Sequence, residues 1–391
     1  LFGTQGSNNA LELYSFFKAE KNNFYVYSYP RIVNNPSEVE RFTGLPRNIR
    51  RAGFNSGETD LSGIGFENDH FLFQIGRGRE SWGANDDINL ALTSNSASYD
   101  YFKIGFDNKP IRFRYFHGYL ENKDNYNRYI TGRGIEFSND ESLVIGLSEK
   151  VIYSGVNRPI DFAYFNPIAT HLEIELNDRQ NEKGTSSGNA VWQTSIDYLS
   201  TKNIRVSANF LIDEFVFDKI QLDTGKVHGL AYSLRLSYRP EIKHNHLVFY
   251  LSYINVGTHT FRHEIGFNNF VQRNIPLGWK YGSDGDEMKI GMNYIAKDRI
   301  INLNIGRLLI GSASIIDNEY KKYDNYKDGP FPSGDVKETL FIESNFEWWI
   351  SNRLSLKAAL TYLKTNENKL INESNIGIHF FFSPKQLIKD K

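Results

Sequence analysis

The chain has 391 residues, with 45 basic and 46 acidic side chains, and its net charge of −1 gives none of the basic excess that a nucleic-acid partner requires. It contains no cysteine, which excludes disulfides, thiolate metal sites and cysteine nucleophiles. No apolar run approaches the roughly 18 residues of a membrane-spanning helix. There is no starting Met and no signal-like segment, so the chain reads as mature or as cut at its N-terminus. Aromatic residues make up 15% of it, with 23 Tyr and 29 Phe, a composition that fits strands with tyrosine at polar–apolar borders.

Period-two alternation predicts strands along almost the whole chain. The first lies at about 10–20. The stretch "FQIGRGRESWG" (73–83) then ends a strand in a glycine-rich, basic turn, the general form of a phosphate cradle. It lacks the G-K-[ST] ending, a third glycine where Ser81 stands, and a following helix, so it is not a nucleotide loop. Phe71, Phe73 and Ile75 share one face, and regular pleating would carry Arg77 and Arg79 onto it, costing roughly 2–4 kcal/mol each at a bilayer midplane. A bulge at Gly76 or Gly78 is expected to break the parity and turn at least one arginine inward. The alternative is that the strand already stands above the membrane there, with both arginines solvated. Trp82 is expected near the outer border.

Farther along, "IRFRYFHG" sets Ile111, Phe113 and Tyr115 against Arg112, Arg114 and Phe116, and "IRVSANFLID" sets Ile204, Val206 and Phe210 against Arg205, Ser207 and Asn209. "LVFYLSYI" (247–254), "MKIGMNYI" (288–295) and "RLSLKAALTYL" (353–363) repeat the pattern, and "NIGIHFFF" (375–382) is the last strand. About seventeen such segments are visible, many near the ten residues of a tilted membrane strand. Their polar face carries Arg, Lys, Asp and Gly, which suits a polar lumen with the apolar face turned to lipid.

The connections sort by length. Short turns lie near 20–23, 67–70, 107–110, 138–141, 200–203, 239–246, 296–299 and 351–353. Long ones span 31–58, 84–99, 154–189, 216–229, 255–286 and 312–336. Outer-membrane barrels show this asymmetry, with short periplasmic turns and long outer loops. The first visible strand and the last then both run toward the periplasm, which is the wrong parity for a barrel of even strand number. The repair is one upward strand missing before Leu1. The expected fold is all-β: one transmembrane antiparallel up-and-down β-barrel over residues 1–391, of about 18 strands, with long extracellular loops, in the cell outer membrane.

Catalytic signatures such as G-x-S-x-G and H-E-x-x-H are absent, and the chain reads as a non-enzyme without a cofactor. His259, His263 and Glu264 cluster in a long loop, but no third ligand follows at a compelling spacing, and a polar loop is the preferred reading. Asp213 and Glu214 are adjacent on a strand and point to opposite faces, so they form no acid/base pair by themselves. Arg112, Arg114, Arg205, Arg235, Glu343 and Glu347 share the lumen face, where a charge network bracing the interior is their expected role. The Asn-, Asp-, Tyr-, Arg- and Gly-rich loops, such as "DNEYKKYDNYKDGPFPSGD" (317–335), suit carbohydrate, whose C–H faces pack on rings and whose hydroxyls pair with planar polar groups.

The segment "FQIGRGRESWGANDDINLALTSNSASYDYFKI" resembles one in the capsule assembly family, the Wzi-type outer-membrane barrels, at Gly76, Arg77, Trp82, Gly83, Leu90, Leu92, Ser94 and Asn95. "DFAYFNPI" (161–168), with Tyr164, Asn166 and Pro167, and "FLIDEF" (210–215) are similar to two further segments of that family. The resemblance covers residues 1–220, and the helical bundle of the best-known members is not present. It implies an eighteen-strand barrel with a lectin-like role, holding capsular or other surface polysaccharide. The candidate polysaccharide-binding or lumen residues are therefore Arg77, Arg79, Trp82, Asn95, Tyr164, Asn166, Arg112 and Arg114. The expected partners are outer-membrane lipid, surface polysaccharide and other outer-membrane proteins. A transport pore and a structural or adhesion component of a surface or gliding complex are the alternative readings.

Overall fold

The structure is a computed structural model and describes residues 2–380, apart from 8–9, 40–41, 183–187, 215–218, 220–222, 224, 226, 243–244, 322–328 and 367–368. Phe215 of "FLIDEF", the tail of the last predicted strand, and part of the loop 317–335 thus lie outside the described residues. The first strands are β1 (Phe2–Ser7), β2 (Ala10–Ser15), β3 (Phe17–Lys21), β4 (Phe24–Val33), β5 (Ser56–Glu67), β6 (Phe71–Gly78) and β7 (Tyr99–Asn108). The longest run follows in β8 (Ile111–Lys123), β9 (Tyr126–Ser138), β10 (Leu143–Val156), β11 (Gly188–Thr201), β12 (Ile204–Glu214), β13 (Gly229–Tyr238) and β14 (His246–Val256). A small separate hairpin, β15 (Val271–Gln272) and β16 (Ile275–Pro276), precedes β17 (Gly285–Ile295), β18 (Arg299–Ile310), β19 (Lys337–Ser351), β20 (Leu354–Thr365) and β21 (Leu370–Phe380). An α-helix, α1 (His171–Leu176), lies in the connection between β10 and β11.

All strands except β15 and β16 belong to one nineteen-stranded sheet, in which each pairs antiparallel with its neighbour in sequence. β2 and β3 lie end to end along β4 and are separated only by Phe16, so the nineteen strands make eighteen courses. This corrects the expectation of an absent first strand. The upward course is β1, inside the chain, where Phe2–Ser7 pairs with Ala10–Ser15. Its sequence, FGTQGS, has Phe2 as its one large apolar residue and so shows no apolar–polar alternation. Among the described residues no ladder joins β1 to β21, so hydrogen bonds do not close the sheet.

The two faces are sorted as predicted. Phe73, Ile75, Phe106, Ile135, Leu147, Phe210, Leu251, Ile290, Ile342 and Leu360 point outward and are exposed. Gln74, Lys150, Gln193, Asn209, Ser233, Arg235, Ser252 and Glu287 point inward and are buried. An apolar exterior around a polar interior is stable only where the exterior meets lipid.

Large inward rings lie across glycines on the next strand. A Cβ on Gly291 would stand 2.2 Å from Tyr250 Cζ, and one on Gly65 would stand 2.5 Å from Tyr25 Cζ. The niche at Gly291 lets the Tyr250 hydroxyl reach Asn304, and that at Gly65 lets the Tyr25 hydroxyl reach Gln74. Gln74 Nε2 donates to Tyr27 and Tyr101 at 2.9 Å each, and its Oε1 accepts from Tyr25 at 2.7 Å.

The expected bulge at Gly76 or Gly78 does not occur. β6 pairs without interruption with β5 through Arg77 and with β7 through Gly78. Gly76 is instead a site of close approach, since a Cβ there would lie 2.2 Å from the Ser62 carbonyl oxygen.

Leucine in place of Gly291 should force the Tyr250 ring out of its niche and cost about 1–3 kcal/mol. A lowered urea midpoint of the detergent-folded barrel, followed by gel mobility, checks this; an unchanged midpoint would mean that the niche is not a tight one.

Candidate functional site

Two long connections turn into the lumen from the same end. In the first, residues 79–98, the side chains of Ile88, Leu90, Ala91 and Leu92 are essentially fully buried. In the second, residues 257–284, the same holds for Phe261, Phe270, Val271 and Leu277. They share one apolar cluster with inward wall residues that run from Tyr99 and Phe116 through Ile130, Val191, Leu211 and Ile254 to Leu308 and Phe341. A cluster that touches the wall from β7 round to β19 has to fill the interior.

Polar side chains of the wall fix the backbone of this plug. Asn209 Nδ2 donates to the carbonyls of Ala84 and Ile88 at 3.1 Å each, while its Oδ1 accepts from Ala84 N at 2.8 Å. Ser233 donates to Ile88 O at 2.6 Å, and Arg235 pairs with Asp87. The two segments also hold each other: Thr93 N donates to Leu277 O at 2.9 Å and Trp279 N to Leu90 O at 2.9 Å. Arg128, fully buried, donates to the carbonyls of Phe267 at 2.5 Å and Asn269 at 2.8 Å and pairs with Glu121 at 2.8 Å. His259 and His263 belong to this second segment; His263 N donates to Asn269 Oδ1 at 2.8 Å.

The predicted candidates fall into four places. Trp82, Arg112 and Arg114 share a cavity of about 260 Å³ beneath the plug, toward the short turns, together with Glu80, Lys103 and Glu136. Trp82 is thus inside the lumen and not at the outer border. Its Nε1 donates to Glu80 at 3.0 Å and its ring meets Phe116 edge-on at 5.4 Å. Arg112 pairs with Asp107 at 2.8 Å and Glu136 at 3.5 Å, and Glu80 with Lys103 at 3.1 Å, in the expected manner of an internal charge network.

Arg77 and Arg79 lie at the long-loop end. Arg77 keeps the outward parity, opposite Asp100, and neutralises it at 3.0 Å while donating to Ser98 O at 3.2 Å. Arg79 pairs with Asp60 and donates to Ser96 O, within the plug segment, at 2.8 Å. Neither meets lipid as a bare charge. Asn95 is exposed on the plug segment, with its backbone N on Thr93 Oγ1 at 3.3 Å.

Tyr164 and Asn166 lie apart from all of these, in the connection after β10. Here the sequence reading missed a feature. Residues 158–176 fold down the outside of the wall and cover the outward faces of β7–β11. Tyr164, fully buried, stacks on Tyr153 at 4.5 Å and accepts on its carbonyl from Tyr115 at 2.7 Å. The Asn166 carbonyl accepts from Arg133 at 3.2 Å, and the amide of His171 donates to Glu149 at 3.0 Å. Arg133 and Glu149 share strand parity with the lipid-facing Ile135 and Leu147, and charge on that parity was the available sign that something covers it.

At the long-loop rim, Arg77 and Asp100 line a cleft of about 570 Å³ with Phe42, Tyr119, Asn122 and Arg273, whose guanidinium donates to Thr43 O at 2.5 Å. With Glu121, Lys123 and Asn274 completing the lining, the cleft combines two rings with two amides, two carboxylates, two guanidinium groups and an ammonium.

No family model and no curated protein sequence matches the chain. Solved structures do. Wzi of Escherichia coli, a carbohydrate-binding β-barrel involved in group 1 capsule assembly, superposes with a TM-score of 0.69 at 14% identity, over 97% of this chain and 81% of its own. OprD of Pseudomonas aeruginosa gives 0.51 at 8% identity, over 95% and 89%, and a BenF-like porin of Pseudomonas fluorescens 0.52 at 8%, over 97% and 95%. This chain has the fold of these outer-membrane β-barrels. The short turns therefore mark its periplasmic end and the long connections its outer end.

Burial, first of all, pushes His171 of the outer strap down to about 4, with His263, Arg133 and Arg158 acting in the same sense. A depressed histidine contributes stability that is complete above its ordinary value near 6.5 and is lost as pH falls toward 4. Protection factors in residues 158–176, each taken against the intrinsic exchange rate at the same pH, should fall as pH drops through that window, and His171→Gln should flatten the response; equal protection at pH 7 and pH 4.5 would contradict it. For the plug, Asn209→Leu should strand backbone groups worth roughly 1–3 kcal/mol each. Planar-bilayer recordings should then show current bursts that the parent barrel lacks.

Proposed function

We propose that this barrel holds surface polysaccharide at the cell exterior through its outer rim and does no chemistry on it. The observation that carries the reading is the filled lumen beside an open rim cleft. The interior is occupied by two hydrogen-bonded segments, while Arg77, Asp100, Asn122 and Arg273 stand around Phe42 and Tyr119 at the mouth. Sugar rings stack on aromatic faces, and their vicinal hydroxyls match planar groups that donate or accept in pairs. Acidic capsular sugars would further be drawn to Arg77 and Arg273. The likeness to Wzi, whose name records carbohydrate binding, supports the same reading.

A transport pore is the competing reading, in keeping with the likeness to OprD. Eighteen strands can enclose an aqueous channel, and what speaks against one here is the apolar cluster across the lumen.

Deleting the gene should release glycan from the cell surface while leaving small-solute uptake unchanged. Arg77→Ala with Asn122→Ala should reproduce the release with an intact barrel, weakening glycan retention about thirtyfold if each side chain contributes a hydrogen bond worth about 1 kcal/mol. Full glycan retention in the deletion strain would defeat the proposal, and slowed solute uptake would favour the pore.

A further inference from the structure

The outer strap has two apolar sides. Its inner side seals against the barrel: Tyr164, Ile174 and Ala163 pack with Tyr129, Val151, Tyr153 and Ala190 of the wall. Its outer side is not sealed. Phe162 is 81% exposed, Ile168 80%, Leu176 76% and Leu172 53%. On α1, Leu172 and Leu176 are four residues apart and share a face, while His171 and Ile174 turn to the wall. So many large apolar side chains on one short external segment have no reason to face water.

Strand parity fixes which medium they meet. Ile111, Phe113, Tyr115 and His117 alternate onto the outward face of β8, and Ile145, Leu147, Glu149, Val151 and Tyr153 onto that of β10. The lower members of each series, such as Ile111, Ile145 and Leu147, are exposed and belong to the lipid-facing belt; the upper members lie under the strap. The boundary between them is an apolar crevice of about 390 Å³, in which Pro167 and Ile168 of the strap meet Phe113, Ile135, Leu147 and Trp192 of the wall. The exposed side of the strap therefore continues the belt without a break, and the crevice opens where water is replaced by acyl chains.

We infer that residues 158–176 form an interfacial strap whose Phe162, Ile168, Leu172 and Leu176 insert into the outer leaflet, with a lipid acyl chain filling the crevice below Ile168. The strap belongs to the class of amphipathic segments that lie in the plane of the interface. It differs in being folded onto a barrel wall, so its polar groups are satisfied by the wall before it meets lipid. The occupant is lipid and not a second protein because the surface is continuous with one already committed to lipid.

The absence of cysteine makes the test direct. Nitroxide labels are placed at Ile168→Cys and Leu172→Cys in the full chain, reconstituted in phosphatidylethanolamine–phosphatidylglycerol vesicles. Leu147→Cys serves as the lipid reference and Arg179→Cys as the water reference, and gel mobility confirms that each variant is folded. The ratio of oxygen to nickel-chelate collisions at residues 168 and 172 should match that at 147 and exceed that at 179 by about tenfold. Nickel access at 168 and 172 equal to that at 179 would overturn the inference. So would labels immobilised and shielded from both reagents, the result expected if another protein covers the strap.

Discussion

A backbone amide in hydrocarbon has no water to bond, so a strand that crosses a bilayer must be paired along both edges. Apart from the edges of β1 and β21, between which no ladder is made among the described residues, this chain meets that condition with side chains that alternate between the two faces. Once the ladders are made, one set of residues must accept lipid and the other must accept whatever the interior contains. Here the interior contains protein. That is why its inward residues are a mixture of amides, hydroxyls and paired charges, with glycine wherever a neighbouring ring crosses.

The long connections have two destinations, and strand length permits both. β8 and β9 have 13 residues and β10 and β11 have 14, against the roughly 9–11 that a tilted strand needs to cross the hydrocarbon. The excess stands above the core of the membrane. On its inner face it presents Phe116, Ile130 and Ile152 to the plug. On its outer face it no longer has to be apolar, and His117, Arg133 and Glu149 occur there, each engaged beneath the strap or on the wall beside it.

Much of this was legible in the sequence. The alternation in "IRVSANFLID" assigned residues 204–213 of β12 to their observed faces, and loop sorting with the parity argument led to eighteen courses. What failed was local. β1, with Phe2 as its one large apolar residue, carries no alternation to read. The Gly76-x-Gly78 pattern was read as a bulge because glycine permits one, whereas the actual demand is the approach of the Ser62 carbonyl, a contact between strands that no single segment displays. Of the candidate residues, Trp82, Arg112 and Arg114 do meet in one cavity, and Arg77 does reach the outer rim. Tyr164 and Asn166 were grouped with them by resemblance alone, and their place outside the wall depends on tertiary folding of a loop.

The plug also has a history written into its contacts. Residues 79–98 emerge early in the chain, yet Ala84 is held by Asn209, 125 positions later, and Ile88 by Ser233, 145 positions later. The hairpin at Gln272 reaches back 152 positions to Leu120. None of these bonds can exist before the strands that carry their partners have joined the sheet, and contacts of such sequence separation are the slow ones in any folding chain. The first lumenal segment, tied early only near its start through Arg79, Glu80 and Trp82, must therefore wait for its bonds at Ala84 and Ile88 until the wall is built as far as β13. Sealing of the interior is a late step of assembly, and a barrel stalled before it would be left leaky in the membrane.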